Sequence, residues 1–118
     1  MTSDSMNQTD VSRTDRPLVI LCYPRLEFQA NDRYAWVPYS LLLIADALLN
    51  QGLVDVLIYD ANQDAQPWEA GVRRNQHRLL CVGFSIMTGG QQIRHALELA
   101  QAMTDIVPGV PRVFGGPH

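Results

Sequence analysis

Small and polar residues follow two apolar segments in the second half of the chain, and their types suit ligand binding. Residues 79–86 form an apolar run that leads into Met87-Thr88-Gly89-Gly90, and residues 111–114 lead into Gly115-Gly116-Pro117-His118. The hydroxyls of Ser85 and Thr88 can donate and accept hydrogen bonds, and glycine lets a backbone come close to a ligand. If both runs are parallel strands, these loops lie at the carboxyl edge of the sheet, where open α/β folds bind ligands. Position alone leaves ordinary turn chemistry equally open.

The elements that must position these loops alternate along the chain. Apolar runs predict strands at residues 18–23, 54–60, 79–86 and 112–114. Helices are predicted from Pro38 to Gly52, over 67–75 with a weaker pattern, and over 90–104. This order predicts an α/β fold with a Rossmann-like, doubly wound parallel sheet. A complete five-strand unit needs a further strand and helix, so we expect a sheet that is truncated after its fourth strand.

Helical periodicity also predicts which residues face the core. The helix after Pro38 carries a broad apolar stripe that ends before Gly52. The helix over 90–104 is expected to bury one apolar face, which comprises Ile93, Ala96, Leu97, Ala100 and Met103.

Composition indicates one domain and excludes several classes of partner. Residues 1–16 are polar and predict a disordered tail, and residues 17–118 form the incomplete α/β domain. The net charge of -3 favours neither nucleic acid nor an anionic membrane. Residues 1–16 contain no apolar segment typical of a secretion signal, and no apolar run approaches the roughly 20 residues that a membrane span needs. We therefore expect a cytoplasmic protein.

Familiar phosphate-binding motifs are missing from the expected places. The loop after the first strand reads Tyr23-Pro24-Arg25-Leu26 and lacks the glycines of a dinucleotide site. The third strand ends on Ser85 rather than on a phosphorylatable aspartate, and the chain has no lysine for a phosphate-binding loop. Its two cysteines cannot by themselves hold an iron–sulfur cluster or a four-cysteine zinc site. No catalytic or metal-ligating residue is predicted.

Two glycine-containing segments together resemble a known cofactor-binding domain. Residues 83–89, Gly-Phe-Ser-Ile-Met-Thr-Gly, are followed by a helix and then by Gly-Gly-Pro-His at 115–118. The first strand ends in Tyr23-Pro24 and the second in Tyr59-Asp60. This combination resembles the cobalamin-binding domain of cobalamin-dependent radical S-adenosylmethionine enzymes, over residues 17–118.

The resemblance implies a set of cofactor-binding residues at the carboxyl edge of the sheet. Ser85, Thr88 and Gly89, with Met87 in the same motif, would line the nucleotide tail or the amides of the corrin ring. Gly115, Gly116 and Pro117 would form a backbone shelf beside them. The loop from Pro24 to Arg33, which includes Arg25, would lie near the lower face of the ring. Asp60, at the end of the second strand, is expected either to bind a ligand group or to cap the following segment.

Two departures from related proteins refine what the resemblance implies. The chain lacks the Asp-x-His-x-x-Gly motif whose histidine coordinates cobalt in cobalamin mutases, so we expect cobalamin with its own base displaced and no histidine ligand from this chain. It also lacks Cys-x-x-x-Cys-x-x-Cys, so S-adenosylmethionine and the four-iron four-sulfur cluster would belong to a radical barrel domain or separate subunit. The full enzyme would methylate an unactivated carbon or phosphorus. The alternative is a non-catalytic α/β module that binds a partner or another small ligand.

Overall fold

A computed structural model describes residues 16–26, 38–87 and 89–117, and in this part the predicted α/β fold is confirmed. The strands are β1 (Leu18–Tyr23), β2 (Asp55–Asp60), β3 (Leu79–Ser85) and β4 (Arg112–Gly115). The helices are α1 (Tyr39–Asn50), α2 (Trp68–Arg74) and α3 (Gly90–Ala102). The polar segment 1–15, residues 27–37 with most of the predicted loop near the ring, Thr88 and His118 lie outside the described residues.

The four strands form one parallel sheet in the order β2-β1-β3-β4. β1 lies in the middle and is buried along its whole length, which explains its unbroken apolar sequence. The strand order reverses between β1 and β3, because the chain adds β2 on one side of β1 and then β3 and β4 on the other. Ligands of open α/β sheets bind at such a reversal, outside the carboxyl ends of the strands.

The helices cover the two faces of the sheet unequally. On one face, α2 and α3 pack on alternate strand residues, among them Ile20, Val82 and Phe84. On the other face, Leu41 and Ala45 of α1 pack with Val19 and Leu21 of β1 and with side chains of β2. Within the described residues, no helix covers β3 and β4 on the α1 side. None of these helices is long and apolar enough to cross a membrane.

Helix boundaries follow the expected local chemistry, but the predicted buried faces are partly wrong. Pro38 precedes α1, and Gly52 adopts the left-handed conformation (φ 72°) just beyond its end. Ala96 and Ala100 of α3 and Met103, which follows its last residue, are buried as predicted, whereas Ile93 and Leu97 are exposed. Gln92 and Leu99 are buried with the correctly predicted residues. The buried face of the helix is therefore rotated relative to the predicted one. It includes Gln92, a polar residue that apolar periodicity does not assign to the core.

Gly116 is required by the close approach of the segments that follow β3 and β4. Its φ of 109° lies in a region that other residues rarely adopt, and a Cβ there would collide with the backbone of Ile86. Gly115 differs, because a Cβ at that position meets no atom within 4 Å. Its carbonyl accepts a hydrogen bond from the N–H of Ile86 at 2.7 Å, which a side chain does not disturb.

We expect Gly116→Ala to lower the free energy of unfolding by about 1–3 kcal/mol, because it strains the backbone. Gly115→Ala is the matched control and should change stability by less than about 0.5 kcal/mol. Urea unfolding followed by circular dichroism measures both. Equal stability of the two variants would show that the approach to Ile86 is not the constraint.

Candidate functional site

An apolar groove lies on the α1 side of the sheet, where β3 and β4 are uncovered. Its volume is about 360 Å³. Leu41, Ile44 and Leu48 of α1 form one wall. The floor is made by strand residues of this face, and Gly116 and Pro117 close the end; the strand residues are Val19, Leu21, Cys81, Gly83, Ser85, Val113 and Gly115. A cavity of this size and character suits a small organic ligand.

Two glycines give the groove a flat floor. Gly83 pairs with Val113, and Ser85 pairs with Gly115, so the two glycines lie diagonally across neighbouring strands. Phe84 and Phe114 occupy the alternate positions and stack on each other, with ring centroids 5.1 Å apart, on the opposite face. Because side chains alternate along a strand, the positions of Gly83 and Gly115 belong to the groove face. The backbone is open at Gly115, whereas a Cβ at Gly83 would lie 3.3 Å from Cδ2 of Leu21.

The groove continues into a second cavity at the carboxyl edge, which we call the mouth. Ser40, Ser85 and Pro117 line both cavities, and the mouth adds Tyr23 and Met87. The Tyr23 hydroxyl donates a hydrogen bond to Sδ of Met87 at 3.0 Å. Burial, together with the negative charge of Asp60, raises the pKa of Tyr23, so this hydroxyl stays protonated at neutral pH. Apolar walls with a few hydroxyl groups at the opening are typical of a ligand pocket.

Gln92 fixes the two loops that meet at this edge. Its side chain is fully buried. Its Nε2 donates to the carbonyl of Pro24 at 2.9 Å, and its Oε1 accepts from the N–H of Met87 at 2.6 Å. One side chain therefore joins the loop after β1 to the loop after β3, which sets the positions of Tyr23 and Met87.

Some of the predicted site residues line the groove or its mouth, and others lie elsewhere. Ser85, Met87, Gly115, Gly116 and Pro117 converge on the groove and its mouth. Gly89 is buried in front of α3 with a φ of 78°, so it shapes the turn. Pro24 is also buried, and the prediction for Thr88 lies outside the described residues.

Arg25 and Asp60 lie away from the groove. The N–H of Arg25 donates to Nδ1 of His95 at 2.8 Å, which places Arg25 beside α3. Asp60 ends β2 at the edge of the sheet, and its carboxylate accepts two hydrogen bonds from Asn62, each 2.9 Å long. These hydrogen bonds show Asp60 capping the segment that follows β2, and a role of Asp60 in ligand binding stays a prediction.

Several residues of the site were not predicted from the sequence. Tyr23, Cys81 and Gly83 sit inside strands, and no ligand-binding role is predicted for any of them from the sequence. Their signal is the alternation of strand side chains, which places Tyr23 on the same face of β1 as Val19 and Leu21. The role of Gln92 has no local sequence signal, because its partners come from two other loops.

Among residues 16–26, 38–87 and 89–117, no group of three or more His, Cys, Asp or Glu side chains is placed to hold a metal ion. Burial raises the pKa of both Cys22 and Cys81, which keeps these thiols protonated and weakly nucleophilic.

The chain matches no family model, no curated protein and no solved structure. The functional argument therefore depends on the geometry of the groove.

Replacing Gln92 with leucine should destabilise the fold, because it removes the partner of the Met87 N–H and one partner of the Pro24 carbonyl. We expect a loss of about 1–3 kcal/mol in the free energy of unfolding. Gln101→Leu is the control, because Gln101 is an exposed residue of the same helix. Urea unfolding measures the difference, and equal stability of the two variants would contradict the role of Gln92.

His95 should make folding stability depend on pH. Burial and the positive charge of Arg25 lower the pKa of His95 below its usual 6.5, although Glu98 partly opposes them. The unfolded chain therefore binds a proton at His95 more readily than the folded chain does. The stability that neutral His95 contributes is complete above the unfolded pKa and is lost as the pH falls through the folded pKa. We expect wild type to lose more stability than His95→Asn between about pH 7.5 and about pH 5.5. Equal losses in urea unfolding would contradict this.

Proposed function

We propose that this chain binds cobalamin at the carboxyl edge of its sheet. The observation that carries the proposal is the groove, which is apolar, floored by Gly83 and Gly115, and open at the strand ends through the mouth. The flat base of a nucleotide tail can lie against a backbone that carries no side chains. The larger corrin ring would lie outside the strand ends, near the mouth.

The residues present fit such a cofactor in character. Apolar side chains from α1, β1 and β4 would contact the faces of the base, and the hydroxyls of Ser40 and Ser85 would bind polar groups at its edge. Met87 and Pro117 at the mouth would contact the corrin side. Within the described residues, neither of the histidines, His77 and His95, lines the groove or the mouth. We propose that cobalamin binds with its own base displaced and without a histidine ligand from this chain.

The proposed biological role is that of a cofactor-binding portion of a radical S-adenosylmethionine enzyme. Bound cobalamin would supply a carrier for a methyl group. A barrel domain or a separate subunit would hold S-adenosylmethionine and the iron–sulfur cluster, and the enzyme would methylate an unactivated carbon or phosphorus. The residues of this chain would bind and orient the cofactor and exclude water from its tail.

Filling the groove should abolish binding. Gly115→Leu places a side chain on the groove floor at a position that is sterically open, so the fold should survive. Gly109→Leu is the matched control, because Gly109 is an equally open, exposed glycine outside the groove. We expect Gly115→Leu to weaken binding of methylcobalamin at least about tenfold, whereas Gly109→Leu binds like wild type. Equilibrium dialysis in the dark measures affinity, and the visible spectrum reports whether the base is displaced.

Cys81 offers an independent readout of occupancy. It lines the groove and is partly exposed, whereas Cys22 is fully buried and serves as an internal reference. Bound cyanocobalamin should slow alkylation of Cys81 at alkaline pH and leave Cys22 unchanged. If the folded chain does not bind cobalamin, or if both leucine variants bind it equally, the proposal is wrong.

Docking of a protein partner is the second candidate, and a specific observation favours it. Leu42, Leu43 and Ile44 are exposed on α1, and Val113 is 57% exposed on the edge strand β4. Such side chains on neighbouring surfaces are typical of an interaction face. Protection of Cys81 by a partner subunit in the absence of any cobalamin would favour this role.

A further inference from the structure

A third cavity, lined by charged and polar side chains, lies at the carboxyl edge on the α3 side of the sheet. Its volume is about 240 Å³, and it is lined by Arg25, Gln91, Arg94, His95 and Glu98. The four helical residues are spaced so that they share one face of α3. Arg25 follows β1, and α3 follows β3, so the cavity lies where the strand order reverses.

Arg25 is held in place by hydrogen bonds at three consecutive residues. The carbonyl of Pro24 accepts from Gln92 and from Asn62. The N–H of Arg25 donates to Nδ1 of His95, and the N–H of Leu26 donates to Oδ1 of Asn62, both at 2.8 Å. Because the backbone is fixed on both sides of Arg25, little backbone entropy remains to be lost when its side chain binds a ligand.

The cavity is rich in hydrogen-bond donors. Nδ1 of His95 accepts the Arg25 N–H, so a neutral imidazole carries its proton on Nε2, where it can be donated. Arg25 and Arg94 form no ion pair with any residue that the structure describes. Two guanidinium groups against the one carboxylate of Glu98 leave a net positive charge. Planar guanidinium groups pair well with oxyanions.

We infer that this cavity is an anion site that binds a phosphate group, through the guanidinium groups of Arg25 and Arg94 and the imidazole of His95. The group belongs either to free inorganic phosphate or to a phosphomonoester. Gln91 lies at the same helical face and can contribute its amide. Glu98 opposes the anion and limits affinity. The site faces α3, whereas the groove lies on the α1 side of the sheet.

The test is a titration of the full chain with inorganic phosphate and, separately, with glycerol 1-phosphate, at constant ionic strength set with chloride. Binding is followed by calorimetry and by the NMR signals of the His95 ring. We expect saturable binding that Arg25→Gln and Arg94→Gln each weaken about tenfold or more. Glu98→Gln should tighten binding severalfold. Tighter binding of glycerol 1-phosphate than of phosphate would identify the group as part of a larger ligand.

The controls separate a specific site from general attraction of anions. Arg73→Gln removes an exposed arginine from α2, outside the cavity, and should bind phosphate like wild type. Circular dichroism verifies that each variant is folded, and the gain expected for Glu98→Gln does not depend on losing a function. Absence of saturable binding would overturn the inference. So would equal weakening by Arg73→Gln, or an unchanged affinity in Glu98→Gln.

Discussion

The buried side chain of Gln92 joins the loops that follow β1 and β3, and the arrangement of the whole carboxyl edge depends on it. Its amide satisfies the Pro24 carbonyl and the Met87 N–H at once, away from water. Leaving the Pro24 carbonyl or the Met87 N–H buried without a hydrogen-bond partner would cost free energy of folding. The two loops can therefore adopt few alternative conformations. The bridge lies where the strand order reverses. The mouth and the cavity beside α3 open at the same place.

The unequal cover of the two faces explains why the groove exists. α2 and α3 bury alternate residues of β1 and β3 on one face, and α1 packs over β1 and β2 on the other. The remaining part of the α1 face carries Gly83 and Gly115, where side chains would otherwise fill the space. Phe84, the residue after Gly83, is buried in the core on the opposite face, and the half-exposed Phe114 stacks on it. Alternate residues of the same strands thus contribute to a dense core on one side of the sheet and to the groove floor on the other.

Much of the fold could be predicted from local sequence, because its signals are local. Apolar runs identified the strands, and Pro38 and Gly52 marked the limits of α1. Ile93 and Leu97 were wrongly assigned to the core, because periodicity treats Gln92 as a surface residue and cannot anticipate its partners in distant loops. In the site, Ser85 and Gly115 converge because they are paired on neighbouring strands. Asp60 and Arg25 do not join them, since strand order and the side of the sheet are set by long-range packing.

The two cavities share a short and rigid segment of chain. Tyr23 faces the mouth through its hydroxyl, and Arg25, two residues later, faces α3 through its N–H bond to His95. Pro24 lies between them and is held by Gln92 and Asn62. Movement of this segment toward either ligand would break these hydrogen bonds, of which the one from Gln92 is buried, so the geometry favours sites that are formed before binding. Preorganisation of Tyr23, Pro24 and Arg25 thus lowers the entropy cost of binding both at the mouth and at the cavity beside α3.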